Sequence, residues 1–327
     1  MTTTQSSQDV AGDGNSLHSL RPTTLFKRCI TASPRNCFRA STPSTWSPDI
    51  FRITQQKIPV QGGEIAVRIF DPRTILDVQG KPKKRAAYVN FHGSGWVFGN
   101  LSVDRDFCNQ VVQGLDGNLV ASDVDYRLAP EHKYPIPARS QKAEEFNIDP
   151  DRMAVGGASA GHLSAVISHL CRNVNIPLRL QLLTVPVCDM HNVFTPNGDF
   201  DWDNCPYESY REMEFTAALP TAWMAYFHKQ FLGVPRPAPS LEDWKISPML
   251  AHNFSNLAPA FVFTAELDPL RDEGEVYAAK LKAAGCRVDL MRMEGVTHTF
   301  SGLDGILDVG KTYNKKVIEA MKKELVI

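Results

Sequence analysis

The sequence predicts an α/β protein in which a mostly parallel sheet carries helices on both faces. Three observations predict it. Apolar runs of strand length alternate with helical stretches through most of the chain, and repeated strand-helix-strand units mean right-handed crossovers between parallel strands. Composition is that of a globular chain: of 327 residues 43% are apolar and 22% charged, enough for a sizeable core and too ordinary for disorder or a collagen-like repeat. No apolar run approaches the roughly 18 residues of a membrane span.

Each element follows from its own residues. Residues 1–45 are polar with little periodicity and read as an N-terminal arm or partial cap, ahead of one domain over 46–327. From Phe51 the texture changes. Phe51–Val60 and Glu64–Phe70 are strand-like, with Gln61-Gly62-Gly63 between them as a hairpin signal. Lys81-Pro82-Lys83-Lys84-Arg85 reads as a solvated turn. Further strands are expected at Ala86–Phe91, Leu119–Val124, Arg152–Gly156, Leu178–Val185, Ala260–Ala265 and Val288–Met293. Helices are expected near Asp104–Gly114, Ala160–Cys171, Trp223–Phe231, Glu273–Ala284 and Tyr313–Leu325. Residues 189–245 break the rhythm, with no clean strand and many aromatics between Phe194 and Phe227. Two readings compete for them: a helical insertion packing its own core, and a helical cap over the carboxyl ends of the strands, where α/β proteins bind ligands.

Charge and cysteines narrow the function classes. Lys and Arg number 35 against 36 Asp and Glu, so no large basic field for nucleic acid is expected. The seven cysteines are scattered and odd in number, with no C-x-x-C pair for zinc or redox chemistry. Free thiols in a reducing compartment are therefore expected. Met1 to Asn15 contains no apolar h-region, so no secretory signal is expected and the protein is read as cytoplasmic.

Chemistry enters with Gly157-Ala158-Ser159-Ala160-Gly161, between a strand and a helical stretch. G-x-S-x-G in that context is a nucleophile elbow: the serine sits on a tight turn, small neighbours let strand and helix approach, and the helix N-terminus favours developing negative charge. His92-Gly93-Ser94-Gly95-Trp96 stands 67 residues earlier at the end of another strand. Acyl transfer passes through a tetrahedral oxyanion that needs N–H donors about 3 Å away. Ala160 would supply one, and Ser94 and Gly95 the others. A serine needs a base and the base an orienting acid, in the chain order Ser, Asp or Glu, His. His162 and His169 lie on the elbow helix and cannot fold back over the serine, whereas His298 follows the last strand and a Gly295-Val296-Thr297 turn. For the acid, Glu266, Asp268 and Asp272 all stand after the strand Ala260–Ala265.

These segments, with Asp125-Tyr126-Arg127-Leu128-Ala129-Pro130-Glu131 and the Asp268–Gly274 run, resemble the hormone-sensitive-lipase branch of the α/β-hydrolases. The resemblance runs from about Ile58 to the C-terminus through five motifs in order. It implies the α/β-hydrolase fold with a helical cap, the triad Ser159, Asp268 and His298, and an oxyanion hole from the N–H groups of Ser94, Gly95 and Ala160. It assigns Arg127 and Glu131 to a structural turn. Three departures stand out: Ser94 replaces the usual middle glycine, Ala158 a frequent Asp, and Pro137–Pro150 leaves room for only a short crossover helix at Ala138–Phe146.

The activity expected is that of a serine carboxylesterase acting on short- to medium-chain acyl esters through an acyl-enzyme, with no metal or organic cofactor. The aromatics Trp96, Trp202, Phe215 and Trp223 are expected to wall the substrate site. The partner expected is a small-molecule ester, and a homodimer is compatible with the reading. The same triad also serves thioesterases, lactonases, cyclases and acyltransferases, and the same pocket could bind a ligand without turnover.

Overall fold

The computed structural model describes residues 51–325 except 61–62, 73–75, 77–78, 135–146 and 238–241. The arm read over 1–45 and the short helix read over Ala138–Phe146 lie outside them. Eight runs of strand length pair into one sheet: β1 (Phe51–Val60), β2 (Gly63–Pro72), β3 (Arg85–Phe91), β4 (Leu119–Asp125), β5 (Ile148–Ala158), β6 (Leu180–Thr184), β7 (Ala260–Leu267) and β8 (Val288–Thr297). They lie in the order β1-β2-β4-β3-β5-β6-β7-β8. β1 pairs antiparallel with β2, Val60 opposite Gly63, and β2 antiparallel with β4. All remaining neighbours are parallel.

Parallel pairing buries both faces of a sheet, and the alternation of side chains along a strand shows how. The helices are α1 (Arg105–Gly114), α2 (Leu163–Asn173), α3 (Ser209–Glu212), α4 (Thr221–Leu232), α5 (Arg271–Ala283) and α6 (Asp308–Leu325). Leu182 and Phe263 point into a core with Val111 and Val112 of α1 and Tyr313, Val317 and Met321 of α6. Their neighbours Leu183 and Val262 point the other way, into a core with Ala165 of α2 and Tyr277, Ala278 and Leu281 of α5. The expected helices on both faces are thus present. Among the described residues no helix is long and apolar enough to cross a membrane.

The aromatic segment carries α3 and α4, and its only strand-like feature among the described residues is the bridge between Phe194 and Phe200. It does not pack a core of its own. Phe194, Tyr210, Phe227 and Phe231 share one apolar cluster with Ile65, Val67 and Ile69 of β2 and Val120 and Val124 of β4.

Three local expectations are corrected. Lys81 to Lys84 are exposed, but Arg85 is buried as the first residue of β3, paired with Asp71 at 2.8 Å and donating to the Pro72 carbonyl. The stretch after Ser159 opens as a 3-10 turn, Ser159–His162, and becomes α2 only at Leu163, a tighter opening that is frequent at helix N-termini. Gly295-Val296-Thr297 is no turn: β8 runs through it, with Thr297 opposite Leu267 after an irregularity in the β7 register.

Candidate active site

Strands that run parallel end on one edge of the sheet. The candidate residues stand just beyond those ends: the His92–Trp96 loop after β3, Ser159 after β5, Asp268 after β7 and His298 after β8. Sheet topology therefore collects groups that lie far apart in sequence.

At the elbow, Ser159 has φ +55°, a left-handed conformation that a non-glycine residue rarely adopts. The flanking glycines are required by contact. A Cβ on Gly157 would lie 2.3 Å from the Phe91 carbonyl oxygen, and one on Gly161 2.8 Å from the same atom. The backbones of β3 and the elbow touch, and this sets the serine beside the loop that follows β3.

Of the three acids left open, register selects one. His298 Nδ1 lies 2.8 Å from Asp268 Oδ2, with Asp268 fully buried and His298 nearly so. The Leu270 N–H donates to Asp268 Oδ1 at 3.1 Å, so both carboxylate oxygens have a donor, as a buried charge requires. With Nδ1–H directed at Asp268, the neutral imidazole carries its lone pair on Nε2. Glu266 instead accepts the Gly295 N–H at 2.7 Å and supports the end of β8. Asp272 accepts the Ser209 N–H at 2.7 Å and the Arg271 guanidinium at 2.8 Å. The Ser159 hydroxyl makes no hydrogen bond among the described residues.

The loop after β3 is bent by three successive positive φ angles, Ser94 +117°, Gly95 +62° and Trp96 +60°. No acceptor among the described residues takes the N–H of Ser94 or Gly95, so both remain able to donate to an oxyanion. A Cβ on Gly93 would sit 3.0 Å from the Ala158 carbonyl oxygen and 3.6 Å from Ser159 Cβ, which places this loop against the elbow. Two groups from the Asp125–Glu131 run hold it there. The Tyr126 hydroxyl donates to the His92 carbonyl at 2.7 Å with its ring stacked on the imidazole at 4.5 Å, and the Ala129 N–H donates to the Trp96 carbonyl at 2.8 Å. Tyr126 and Ala129 were missed as site-building residues, although the motif that contains them was visible.

The four aromatics expected to wall the site have different fates. Trp96 is buried, stacked on Phe231 at 4.7 Å and hydrogen-bonded to His162. Trp223 is half-buried beside Phe227, whose ring would meet a Cβ on Gly95 at 2.4 Å, so this pair stands next to the oxyanion loop. Trp202 packs on Phe200 at 4.2 Å and under Arg211. Phe215 is 85% exposed and packs in no wall, while its neighbour Thr216 donates to the Leu267 carbonyl at 2.9 Å.

Beneath the aromatic segment lies a buried acid pair that no sequence pattern announced. Glu273 of α5 accepts the Cys188 N–H at 2.7 Å and the Tyr210 hydroxyl at 3.0 Å. Asp189 accepts from Tyr207, His191 and Asn192. Burial pushes the Glu273 carboxyl well above the usual range, with Asp189 adding to the effect and the hydrogen bonds opposing it. The pair ties the start of the aromatic segment to the helix that follows Asp268. A groove of about 750 Å³ lies elsewhere, between α5, α6 and the starts of β7 and β8, and none of the candidate site residues lines it.

Comparison with known proteins places the chain in a family. A family model described as alpha/beta hydrolase fold matches residues 88–302. The chain is 32% identical over 284 residues to the carboxylic ester hydrolase LipN of Mycobacterium tuberculosis, covering 84% of this chain and 70% of that protein. It is 30% identical to the carboxylesterase NlhH of the same organism, covering 87% and 86%. Among solved structures, a thermostable carboxylesterase cloned from a metagenomic library matches with TM-score 0.76 at 32% identity, over 94% of this chain and 99% of the other. A hyperthermophilic esterase from Pyrobaculum calidifontis matches with TM-score 0.73 at 30% identity, over 85% and 87%.

Proposed function

The chain belongs to the α/β-hydrolase fold family, in its hormone-sensitive-lipase-like branch, and from that premise we propose that it is a serine carboxylesterase whose nucleophile is Ser159. The observation that carries this reading is the His298–Asp268 bond of 2.8 Å on the sheet edge where the β5 elbow presents Ser159. Ser159 Oγ attacks the ester carbonyl carbon while His298 Nε2 takes its proton. Asp268 holds the ring in the required tautomer and stabilises the imidazolium. The N–H groups of Ser94, Gly95 and Ala160 receive the oxyanion. Collapse of the tetrahedral intermediate expels the alcohol, which takes the proton back from His298. Water then attacks the acyl-serine with His298 again as base, releasing the acid and the free serine.

The substrate proposed is a small-molecule ester with a short- to medium-length acyl chain, since bulky rings, Trp223 and Phe227 among them, crowd the oxyanion loop. The test is a fluorophosphonate probe followed by peptide mapping, beside hydrolysis of p-nitrophenyl butyrate. The wild type should be labelled on Ser159 and the Ser159→Ala variant should neither label nor turn over. Turnover retained by Ser159→Ala removes the assignment.

A further inference from the structure

The oxyanion hole described above is assembled from two chain segments. Ser94 and Gly95 stand on the loop after β3, and Ala160 on the turn after β5. Their N–H groups can converge on one oxygen only if the two segments keep a fixed separation, and a shift of a few tenths of an ångström weakens a hydrogen bond to the developing charge. The Gly93 contact with Ala158 and Ser159 braces one side of the junction. The other side is braced by a pair of side chains 66 residues apart: Trp96 Nε1–H donates to His162 Nδ1 at 3.2 Å, with the rings edge to face at 5.3 Å.

Both partners are placed where movement would be felt. Trp96 directly follows Gly95 and has φ +60°, and His162 closes the 3-10 turn that Ser159 and Ala160 open. Both are buried, and Phe231 covers the Trp96 ring at 4.7 Å, nearly parallel to it, so the indole has little freedom. Indole nitrogen only donates, so His162 must offer Nδ1 as an acceptor and carry its proton on Nε2. An imidazole is therefore the chemical complement of this tryptophan, which explains a buried histidine that cannot serve as the base.

We propose that Trp96 and His162 form a latch that sets the spacing of the oxyanion hole, making both of them positioning residues for ester hydrolysis. The proposal rests on the reading of Ser159 as nucleophile. Because the latch acts on where the donors point, breaking it weakens transition-state binding and leaves ground-state binding of the ester nearly unchanged.

The experiment compares Trp96→Phe, which keeps a ring on Phe231 and removes the donor, with His162→Leu, which removes the acceptor, and His162→Asn, whose Oδ1 restores one near the position of Nδ1. Each deletion should lower kcat about 10- to 100-fold with KM within about twofold, and should weaken a trifluoromethyl ketone inhibitor by the same factor. His162→Asn should recover most of the loss, and the double variant Trp96→Phe/His162→Leu should be no worse than the poorer single one. Unchanged kcat, a loss confined to KM, losses that multiply in the double variant, or His162→Asn as poor as His162→Leu would each overturn the latch. Thermal melting accompanies every variant; should His162→Leu fail to fold, kcat and inhibitor affinity of Trp96→Phe decide the matter. Labelling of the wild type on Ser159 separates the two readings, since its absence overturns the nucleophile, whereas normal labelling with unaffected variants overturns only the latch.

Discussion

Ser94 is the residue at which local preference and site geometry disagree most. At φ +117° a side chain is strained, and such conformations cost roughly 1–3 kcal/mol unless the residue is glycine. Ser94→Gly should relieve this strain, partly offset by the greater freedom of glycine in the unfolded chain. The expected net gain is about 1 kcal/mol, seen as a rise of about 2 °C in Tm with esterase activity kept, since the N–H is retained. A fall in Tm would show that the serine hydroxyl or its packing outweighs the strain. Asp268 is the opposite case, a residue whose surroundings suit it, with His298 and the Leu270 N–H both donating to it. Asp268→Asn leaves its shape but, with Oδ1 kept on the Leu270 N–H, turns a donor NH2 toward His298 Nδ1 and favours the wrong imidazole tautomer, so kcat should fall about 10⁴-fold. A loss below tenfold, with Glu266→Gln more severe, would move the acid role to Glu266.

Among the elements, α4 is the one the proposed function makes responsible for substrate choice. Its Phe227 lies against Gly95, Trp223 and Tyr226 flank that ring, and Phe98 meets it edge to face at 5.7 Å. The α3 segment is held by Glu273, which bonds Tyr210, so the aromatic segment is fastened to the sheet domain through α5. On the proposed function, a wall fixed in this way would limit the acyl pocket. Each buried CH₂ contributes roughly 0.8 kcal/mol, so kcat/KM should climb with acyl length and then drop once the pocket is full, since overpacking costs more than one methylene gains. Across p-nitrophenyl esters from acetate to palmitate the optimum should fall at about two to eight carbons, as the branch resemblance implies. A profile still climbing at palmitate would mean that the aromatic segment opens as a lid.

For the whole molecule, buried titratable groups set how stability varies with pH. Burial lowers His169 to about 4, with Arg172 adding to the effect, and lowers His228 to about 3, helped by Arg236 and Lys229. Both side chains are almost wholly inaccessible. Each is neutral in the folded protein, whereas the unfolded chain binds a proton below about 6.5. The stability each contributes is complete above about pH 6.5 and is lost as pH falls toward the folded values, on the order of 3 kcal/mol for His169 and about 5 kcal/mol for His228. Glu273 works in the other direction: burial keeps it protonated above the unfolded value of about 4.3, so its contribution shrinks as pH rises past that point. Asp125, raised by burial as well, acts with Glu273 at the low end of the range, so two histidines oppose two carboxyls near pH 4.5 and the urea midpoint should rise with pH over the upper part of the window from there to about 6.5. His169→Gln and His228→Gln should each flatten the slope. A midpoint that falls over that upper part would mean that the carboxyls dominate or that the histidines are not held neutral.

Much of the fold is legible in the sequence because it rests on short-range patterns. Strand-length apolar runs, the turn chemistry around Ser159 and the glycine-rich loop after Phe91 each occupy a few consecutive residues. Those patterns sufficed for the mostly parallel α/β architecture, the strand-to-helix turn at Ser159 and a histidine after the last strand. Position in the chain left Glu266, Asp268 and Asp272 open, and only the family resemblance pointed to Asp268, because choosing among them depends on how β7 and β8 are registered 30 residues apart, where the folded sheet brings Asp268 to His298. The sequence also suggested Trp96 for the substrate wall, and only the folded chain shows its ring packed against Phe231 and His162. Glu273 lies inside the Asp268–Gly274 motif, but its burial beside Asp189 was not legible, since an acid in the first turn of a helix reads as solvated until a tertiary partner covers it. Local periodicity is encoded in neighbouring residues; register, burial and side-chain partnership arise between segments far apart in the chain, and those the tertiary structure alone decided.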